Sequence, residues 1–113
     1  MKEIKAIIQP FMADRVMGAL QQIPDLPGIT VLDVRGFGRQ RARNAPNAIA
    51  EGSILYVKKV QLEVAVPERL VEEVIRTIRE NACTGNPGDG KIFVRSLDEA
   101  IRIRTGERGE RAI

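Results

Sequence analysis

The residues best suited to chemistry lie in two stretches. The first is "TGNPGDGKIF", Thr84 to Phe93, with three glycines and a lysine. Gly85, Gly88 and Gly90 can expose backbone N–H groups and Lys91 adds a point charge, a composition that suits an anion. A phosphate-binding P-loop runs strand, glycine loop, lysine, helix. Here the order is reversed, because "ERLVEEVIRTIRENA" before the loop has the helical period and "KIFVRSL" after it reads as a strand. The loop is therefore no Walker motif. Without a ligand, the same residues read as a helix C-cap at Gly85 and a turn at Pro87 and Gly88. The second stretch is "IRIRTGERGE". Its alternation predicts an extended segment with Ile101 and Ile103 on one side and Arg102 and Arg104 on the other. Two guanidiniums on one side form a clamp for phosphate or carboxylate. The alternative is a solvated edge whose arginines oppose Glu99 or Glu107. Together Lys59, Lys91, Arg102 and Arg104 offer four cations to a triphosphate, each charge-assisted hydrogen bond contributing ~1.5–3 kcal/mol.

Other constellations are weaker. The string "RGFGRQ", Arg35 to Gln40, begins like the RNA-recognition signature K/R-G-F/Y-G/A. It then offers Arg39, Gln40 and Arg41 where aromatic residues should stack bases, and it falls on the second strand instead of the third. One tyrosine, three phenylalanines and no tryptophan give the sheet no stacking platform, so RNA binding is a runner-up. The absence of histidine excludes Ser-His and Cys-His nucleophile pairs within the chain, and no catalytic set stands out. Glu72 and Glu73 read as solvated residues on a helix, and Cys83 as a packed residue at a helix end.

The elements that must position these groups form two related halves. "KEIKAIIQPF" is a strand ending in Pro10, and "MADRVMGALQQI" then places Met12, Val16, Leu20 and Ile23 on one helical face. "KVQLEVAVPE" is a strand ending in Pro67, followed by a helix with Val71, Val74, Ile75 and Ile78 at i, i+3, i+4 and i+7. Proline opens each helix at a position where its missing N–H costs nothing. "GITVLDVRGFG" and "KIFVRSL" supply the remaining strands. The order is βαββαβ, an α+β, ferredoxin-like fold with a four-stranded antiparallel sheet and two helices on one face. In the third strand Val60, Leu62, Val64 and Val66 suit the core, while Lys59, Gln61, Glu63 and Ala65 face the other way. Ile7 and Ile8, with Leu32 and Val34, read as making strands one and two apolar on both faces, which predicts a homo-oligomer packed through its sheets. The stretch Arg39 to Leu55 is long for a hairpin connection and has no helical period, which marks it as functional, disordered or both.

At 113 residues the chain is one domain, and it contains no apolar run near the ~20 residues of a membrane span. One cysteine and no histidine point to a reducing cytoplasm and make a Cys/His zinc site within one chain implausible. Eighteen basic against fifteen acidic residues leave +3, too little to imply nucleic acid as a partner.

From end to end the chain resembles the PII signal-transduction (nitrogen regulatory) proteins. The resemblance is carried by "MKEIKAIIQPF", "TVLDVRGFGRQ", "KVQLEVAVP", "TGNPGDGKIFV" and "IRIRTGERGE". It implies a single domain over 1–113, a homotrimer, a T-loop at about 38–57, a B-loop at about 84–91 and a C-terminal loop at about 102–113. It also implies a cytoplasmic regulator, not an enzyme, that binds ATP or ADP in clefts between subunits. Carried over by motif, Gly88, Asp89, Gly90 and Lys91 hold the phosphates, and Arg102 and Arg104 arrive from the neighbouring subunit. Ile7, Thr30, Glu63 and Ala65 line the adenine side, and Gly38, Arg39 and Gln40 complete the nucleotide set. Gln40 helps to hold Mg²⁺ and 2-oxoglutarate beside the ATP, and Lys59 reaches the 2-oxoglutarate carboxylate or the γ-phosphate.

The long loop departs from the family pattern. Asn47, Ala48 and Ile49 replace Tyr-Arg-Gly, Gly52 occupies the place of the uridylylated tyrosine and Ala50 that of the phosphorylated serine. Lys58 replaces a proline before the binding lysine. These differences resemble a divergent branch that lacks the tyrosine and is associated with heavy-metal efflux. The implied partner is a protein docked by the T-loop, such as a membrane transporter or efflux system, with no nucleic acid and no membrane insertion.

Overall fold

The structure is a computed structural model that describes residues 1–38, 48–52 and 54–113. Five strands and two helices follow one another: β1 Lys2–Ile8, α1 Ala13–Leu20, β2 Ile29–Gly36, β3 Ala48–Glu51, β4 Ile54–Val66, α2 Val71–Ala82 and β5 Gly90–Ser96. The ladder order is β2-β4-β1-β5, antiparallel throughout, and β3 pairs with the outer end of β4. The ferredoxin-like order holds, with one strand more than expected.

Both halves start their helices in the same way. Pro10 is the first residue of a short 3₁₀ turn, Pro10–Met12, and Pro67 is the N-cap of another, Glu68–Leu70. Each turn runs straight into an α-helix, so the fixed proline φ sets the angle at which the chain leaves the sheet. The helices bury the residues that their spacing selects: Val16 and Leu20 from α1, Val71, Val74 and Ile78 from α2. They meet Ile4, Ala6 and Ile8 of β1 and Val60, Leu62, Val64 and Val66 of β4 in one core. Burying each large side chain contributes roughly 1.5–3 kcal/mol, and this face decides the register of the sheet, since a one-residue slip would turn the core residues outward.

The opposite face has no helix over it. It carries Lys5 and Ile7, Thr30, Leu32 and Val34, Lys59, Gln61, Glu63 and Ala65, then Lys91, Phe93 and Arg95. Leu32 and Val34 therefore share this open face, as the period of two requires, and the other face of β2 is built by Ile29 and Val31. Leu32 is 38% and Phe93 49% exposed, so the face is only partly apolar and not closed. Polar pairs cross it: Gln61 donates to Glu63 at 2.7 Å, Arg95 meets Glu3 at 2.5 Å, and the Lys5 ammonium lies 5.4 Å from the Phe93 ring centre.

The long connection between β2 and β4 is not wholly irregular. Its distal part is β3, paired from Ala48↔Val57 to Glu51↔Ile54. Between the two strands Gly52 has φ +62°, a left-handed conformation that suits tight hairpins. The alternation Ile49, Tyr56 and Ile54 against Ala50 and Leu55 supports the pairing but is too short to have been read as a strand. The hairpin is tied to β2 by Arg35, which meets Glu51 at 2.9 Å and lies 5.5 Å from the Tyr56 ring centre.

Candidate functional site

The glycine loop folds around a carboxylate of its own. Helix α2 ends at Cys83, the C-cap, and not at Gly85, which lies two residues farther on with φ +86°. Asp89 accepts hydrogen bonds from the Thr84 N–H at 2.7 Å, from the Gly85 N–H at 3.0 Å and from the Thr84 hydroxyl. These bonds, led by the Thr84 hydroxyl, hold the Asp89 carboxyl below its ordinary value, and the Cys83 thiol adds a weaker donation. Cys83 is thus an exposed residue beside the loop and not a packed one. Asp89 was expected among the phosphate-holding residues. Its side chain instead spends its acceptors on the loop, which leaves its backbone N–H as the group it can offer an anion.

The stabilising form is the carboxylate, whose folded pKa is depressed, so its contribution is complete above pH 3.8 and lost as pH falls through the lower folded value. Hydrogen exchange at Thr84 and Gly85 is expected to be several-fold faster in Asp89→Asn than in the wild type. Their protection in the wild type should collapse only below pH 3.8. Equal protection in both proteins would remove Asp89 from this role.

Two further glycines set the loop against the sheet. Gly88 has φ +95° and Gly90 φ +114°. A Cβ on Gly90 would lie 1.7 Å from the Ile7 carbonyl oxygen, so only glycine lets the loop enter β5 beside β1. A Cβ on Gly88 would lie 3.0 Å from Gln9 Nε2 and 3.7 Å from Lys59 Nζ. Lys59 donates to the Gly88 carbonyl at 2.5 Å. Burial lowers the Lys59 pKa from its ordinary 10.5, and the nearby Asp89 charge pulls it partly back. The β4 lysine and the glycine loop, 29 residues apart, are therefore one structure.

The expected adenine-side residues share the open face, but only Ile7 lies next to this loop. Thr30 and Glu63 are direct partners across β2 and β4, Ala65 lies two positions along, and Ile7 is paired with Gln61 and Lys91. Gly90 is paired with Ile8 at the end of the sheet nearest Ile7, and Thr30 with Glu63, then Ala65, lie progressively farther from it. Thr30 and Glu63 together bear a donor and acceptors on the open face, the kind of group that a flat polar ring can meet. Gly38 ends the described part of β2's exit; Arg39, Gln40 and the replaced Asn47 lie outside the described residues.

The arginine clamp takes a form other than the expected one. "IRIR" is not an extended strand: Ile103 to Thr105 form a turn closed by the Gly106 N–H donating to the Arg102 carbonyl at 2.7 Å. The alternation was outweighed by Gly106 and Gly109, whose φ of +74° and +78° fold the segment back so that Ile101 bridges Arg108. Arg102 is held by Glu107 at 3.4 Å and by the Arg111 carbonyl at 3.3 Å. Arg104 is exposed on the turn with no ion-pair partner among the described residues. Among the described residues neither arginine makes a hydrogen bond or ion pair to the glycine loop of its own chain.

Gln9 is the residue that sequence reading missed. A glutamine before a proline carries no signal, yet it is 7% exposed and stands beside Gly88. No group of three or more Cys, His, Asp or Glu that could hold a metal occurs among the described residues, and no helix among them is long and apolar enough to cross a membrane.

Comparison with known proteins places relatives beside this chain. The family model described as "Nitrogen regulatory protein P-II" matches residues 1–107. The nitrogen regulatory protein P-II of Rhodospirillum rubrum is 50% identical over 113 residues, covering 100% of both chains. That of Haemophilus influenzae is 49% identical over the same span. Among solved structures, the crystal structure of Arabidopsis thaliana PII bound to citrate superposes with a TM-score of 0.79 at 43% identity, covering 99% of this chain and 91% of that one.

Proposed function

This chain belongs to the nitrogen regulatory protein P-II family, and we propose that it is a cytoplasmic sensor of adenine nucleotide that regulates a partner protein through its long loop. ATP or ADP binds in a cleft between subunits of a homotrimer. The observation that carries the reading is the junction of Lys59 with the glycine loop: one cation, three left-handed glycines and Lys91 converge beside the open sheet face. Lys91 and the loop N–H groups take the phosphates, and Ile7, Thr30, Glu63 and Ala65 take the base. The partial apolar character of the open face supports packing between subunits. Arg102 and Arg104, with no polar contact to their own loop among the described residues, suit a neighbour's cleft.

Mg²⁺ and 2-oxoglutarate are the proposed companions of the nucleotide, held by Gln40 and Lys59. Lys59 supports this part of the reading, because its partly desolvated ammonium gains an anion without losing much hydration. The citrate of the Arabidopsis relative is likewise a small polycarboxylate. The hairpin of β3 and β4, with Gly52 where a modifiable tyrosine stands in relatives, favours a partner that reads shape and not covalent modification. A ligand shifts the loop only through its differential affinity for the loop's conformations.

Calorimetric titration of ATP with Mg²⁺, with and without 2-oxoglutarate, tests the reading. Tighter ATP binding in the presence of 2-oxoglutarate is the expected result. ATP binding without that coupling would mean an energy sensor with a different output, as for a regulator of metal efflux. No nucleotide binding would return the glycine loop to a plain turn.

A further inference from the structure

The projecting hairpin carries a group of side chains that the nucleotide reading leaves unused. Strand register places them: Arg35 pairs with Lys58, Tyr56 with Ile49, and Glu51 with Ile54. By the period of two, all of them share the face opposite to Thr30, Lys59 and Glu63. From Lys58 to Ile54 this face runs roughly 13 Å at ~3.3 Å per residue. Arg35 and Glu51 bridge it from its two ends. The Arg35 guanidinium lies 5.5 Å from the Tyr56 ring centre and meets the Glu51 carboxylate at 2.9 Å. Tyr56 stands halfway along and is shared, since the Phe37 ring centre lies 6.2 Å from its own at a tilt of 48°. A planar guanidinium is suited to both contacts, one to the face of a ring and one to a carboxylate.

These contacts can select one position of the hairpin and still let it go. The Arg35 and Glu51 side chains are 55% and 44% exposed, and surface pairs of this kind add little to stability. What they do is tie the end of β2 to the far end of β3. Phe37 connects the group to the cleft. It is followed directly by Gly38, Arg39 and Gln40, the residues assigned above to the nucleotide. The sheet residues assigned to the nucleotide lie on the open face, and Tyr56 lies on the opposite one. A ligand that draws Gly38 toward the open face therefore draws Phe37 away from Tyr56. We propose that Arg35, Tyr56 and Glu51 form a latch on the hairpin, and that nucleotide binding releases it through Phe37. Without nucleotide the hairpin is held against the end of β2; with nucleotide it is free to meet a partner. The inference rests on the nucleotide reading above and adds the contact through which that site reaches the hairpin.

Hydrogen exchange of the Ala48–Glu51 amides in the full-length protein, with and without ATP and Mg²⁺, tests the latch. Exchange in the wild type should be at least about three-fold faster with nucleotide bound, the scale of a surface ion pair with a ring contact. Arg35→Met keeps the chain length and loses the charge. It should exchange as fast as that without nucleotide, and by linkage bind ATP up to about three-fold more tightly, because it has no latch to open. Tyr56→Phe should respond like the wild type, since the contact is to the ring, whereas Tyr56→Leu should bind ATP without the response. Wild-type exchange that bound ATP leaves unchanged or slows overturns the proposal. An Arg35→Met protein as protected as the wild type does the same, as does a Tyr56→Leu protein that still responds. Calorimetry on the same samples separates the two levels: ATP bound without faster exchange rejects the latch alone, whereas no ATP binding rejects the nucleotide reading as well.

Discussion

Gly90→Ala is expected to leave the chain largely unfolded at temperatures where the wild type is stable. The added Cβ would lie 1.7 Å from the Ile7 carbonyl oxygen and 2.8 Å from its carbon, and both are backbone atoms that cannot turn aside. The carbonyl belongs to β1, the central strand that pairs with β4 on one side and β5 on the other. Relief therefore requires β5 to leave β1 at the end where Gly90 faces Ile8. The φ of +114° adds backbone strain for any residue with a Cβ. A cost of at least about 4 kcal/mol follows, a fall in Tm of roughly 15 °C or more for a chain of this size. Thermal unfolding followed by circular dichroism measures it. Gly85→Ala is the control, since its φ is +86° but nothing lies within 4 Å of the added Cβ. It should cost only the left-handed strain of about 1–2 kcal/mol. Equal losses in the two variants would mean that the Ile7 contact is not the cause.

Arg104→Glu should abolish nucleotide binding while leaving the fold and the subunit assembly intact. Arg104 makes no ion pair among the described residues and sits exposed on its turn, so its replacement removes nothing from the subunit. A charge-assisted hydrogen bond to phosphate contributes about 1.5–3 kcal/mol, and reversal adds repulsion to that loss. An ATP affinity at least about 100-fold weaker is expected, since each 1.4 kcal/mol is about a factor of ten. Calorimetry gives the affinity and sedimentation the assembly. Arg102→Glu is a less clean probe, because it also breaks the contacts to Glu107 and the Arg111 carbonyl that shape the C-terminal turn. Normal ATP binding by an assembled Arg104→Glu protein would move the phosphate site elsewhere.

Much of the fold was legible because it rests on repeated apolar spacing. Val71, Val74 and Ile78 recur at helical intervals, Val60 to Val66 at strand intervals, and each set is buried as its period requires. The features that escaped depend on single contacts. The turn at Arg102 is decided by Gly106 and Gly109, which overrule four alternating residues. The strand Ala48–Glu51 is four residues long and forms only because β4 extends beyond the core to receive it. Asp89 looked like part of an anion site by motif, but its role within the chain became visible only with the Thr84 and Gly85 donors around it. Gln9 had no signal at all, since nothing about a glutamine before a proline says that loop residues 79 positions later will close over it. Sequence periods report faces; they do not report which polar atoms end up without water.

β4 is a single strand of 13 residues, and its length has a mechanical consequence. The part from Val60 to Val66 is clamped in the core, while Ile54 to Val57 carry the hairpin. Val57, the last residue of β4 paired with β2, sits at the boundary between held and projecting parts, where a lever has its fulcrum. From there to Ile54 the arm is roughly 10 Å at ~3.3 Å per residue, so a tilt of about 10° at its base carries the tip about 2 Å. An antiparallel ladder resists stretching far more than it resists twisting, so displacement at the base reaches the tip as rotation instead of being absorbed along the way. A small rotation at that base thereby redirects the whole hairpin without breaking any pair within it.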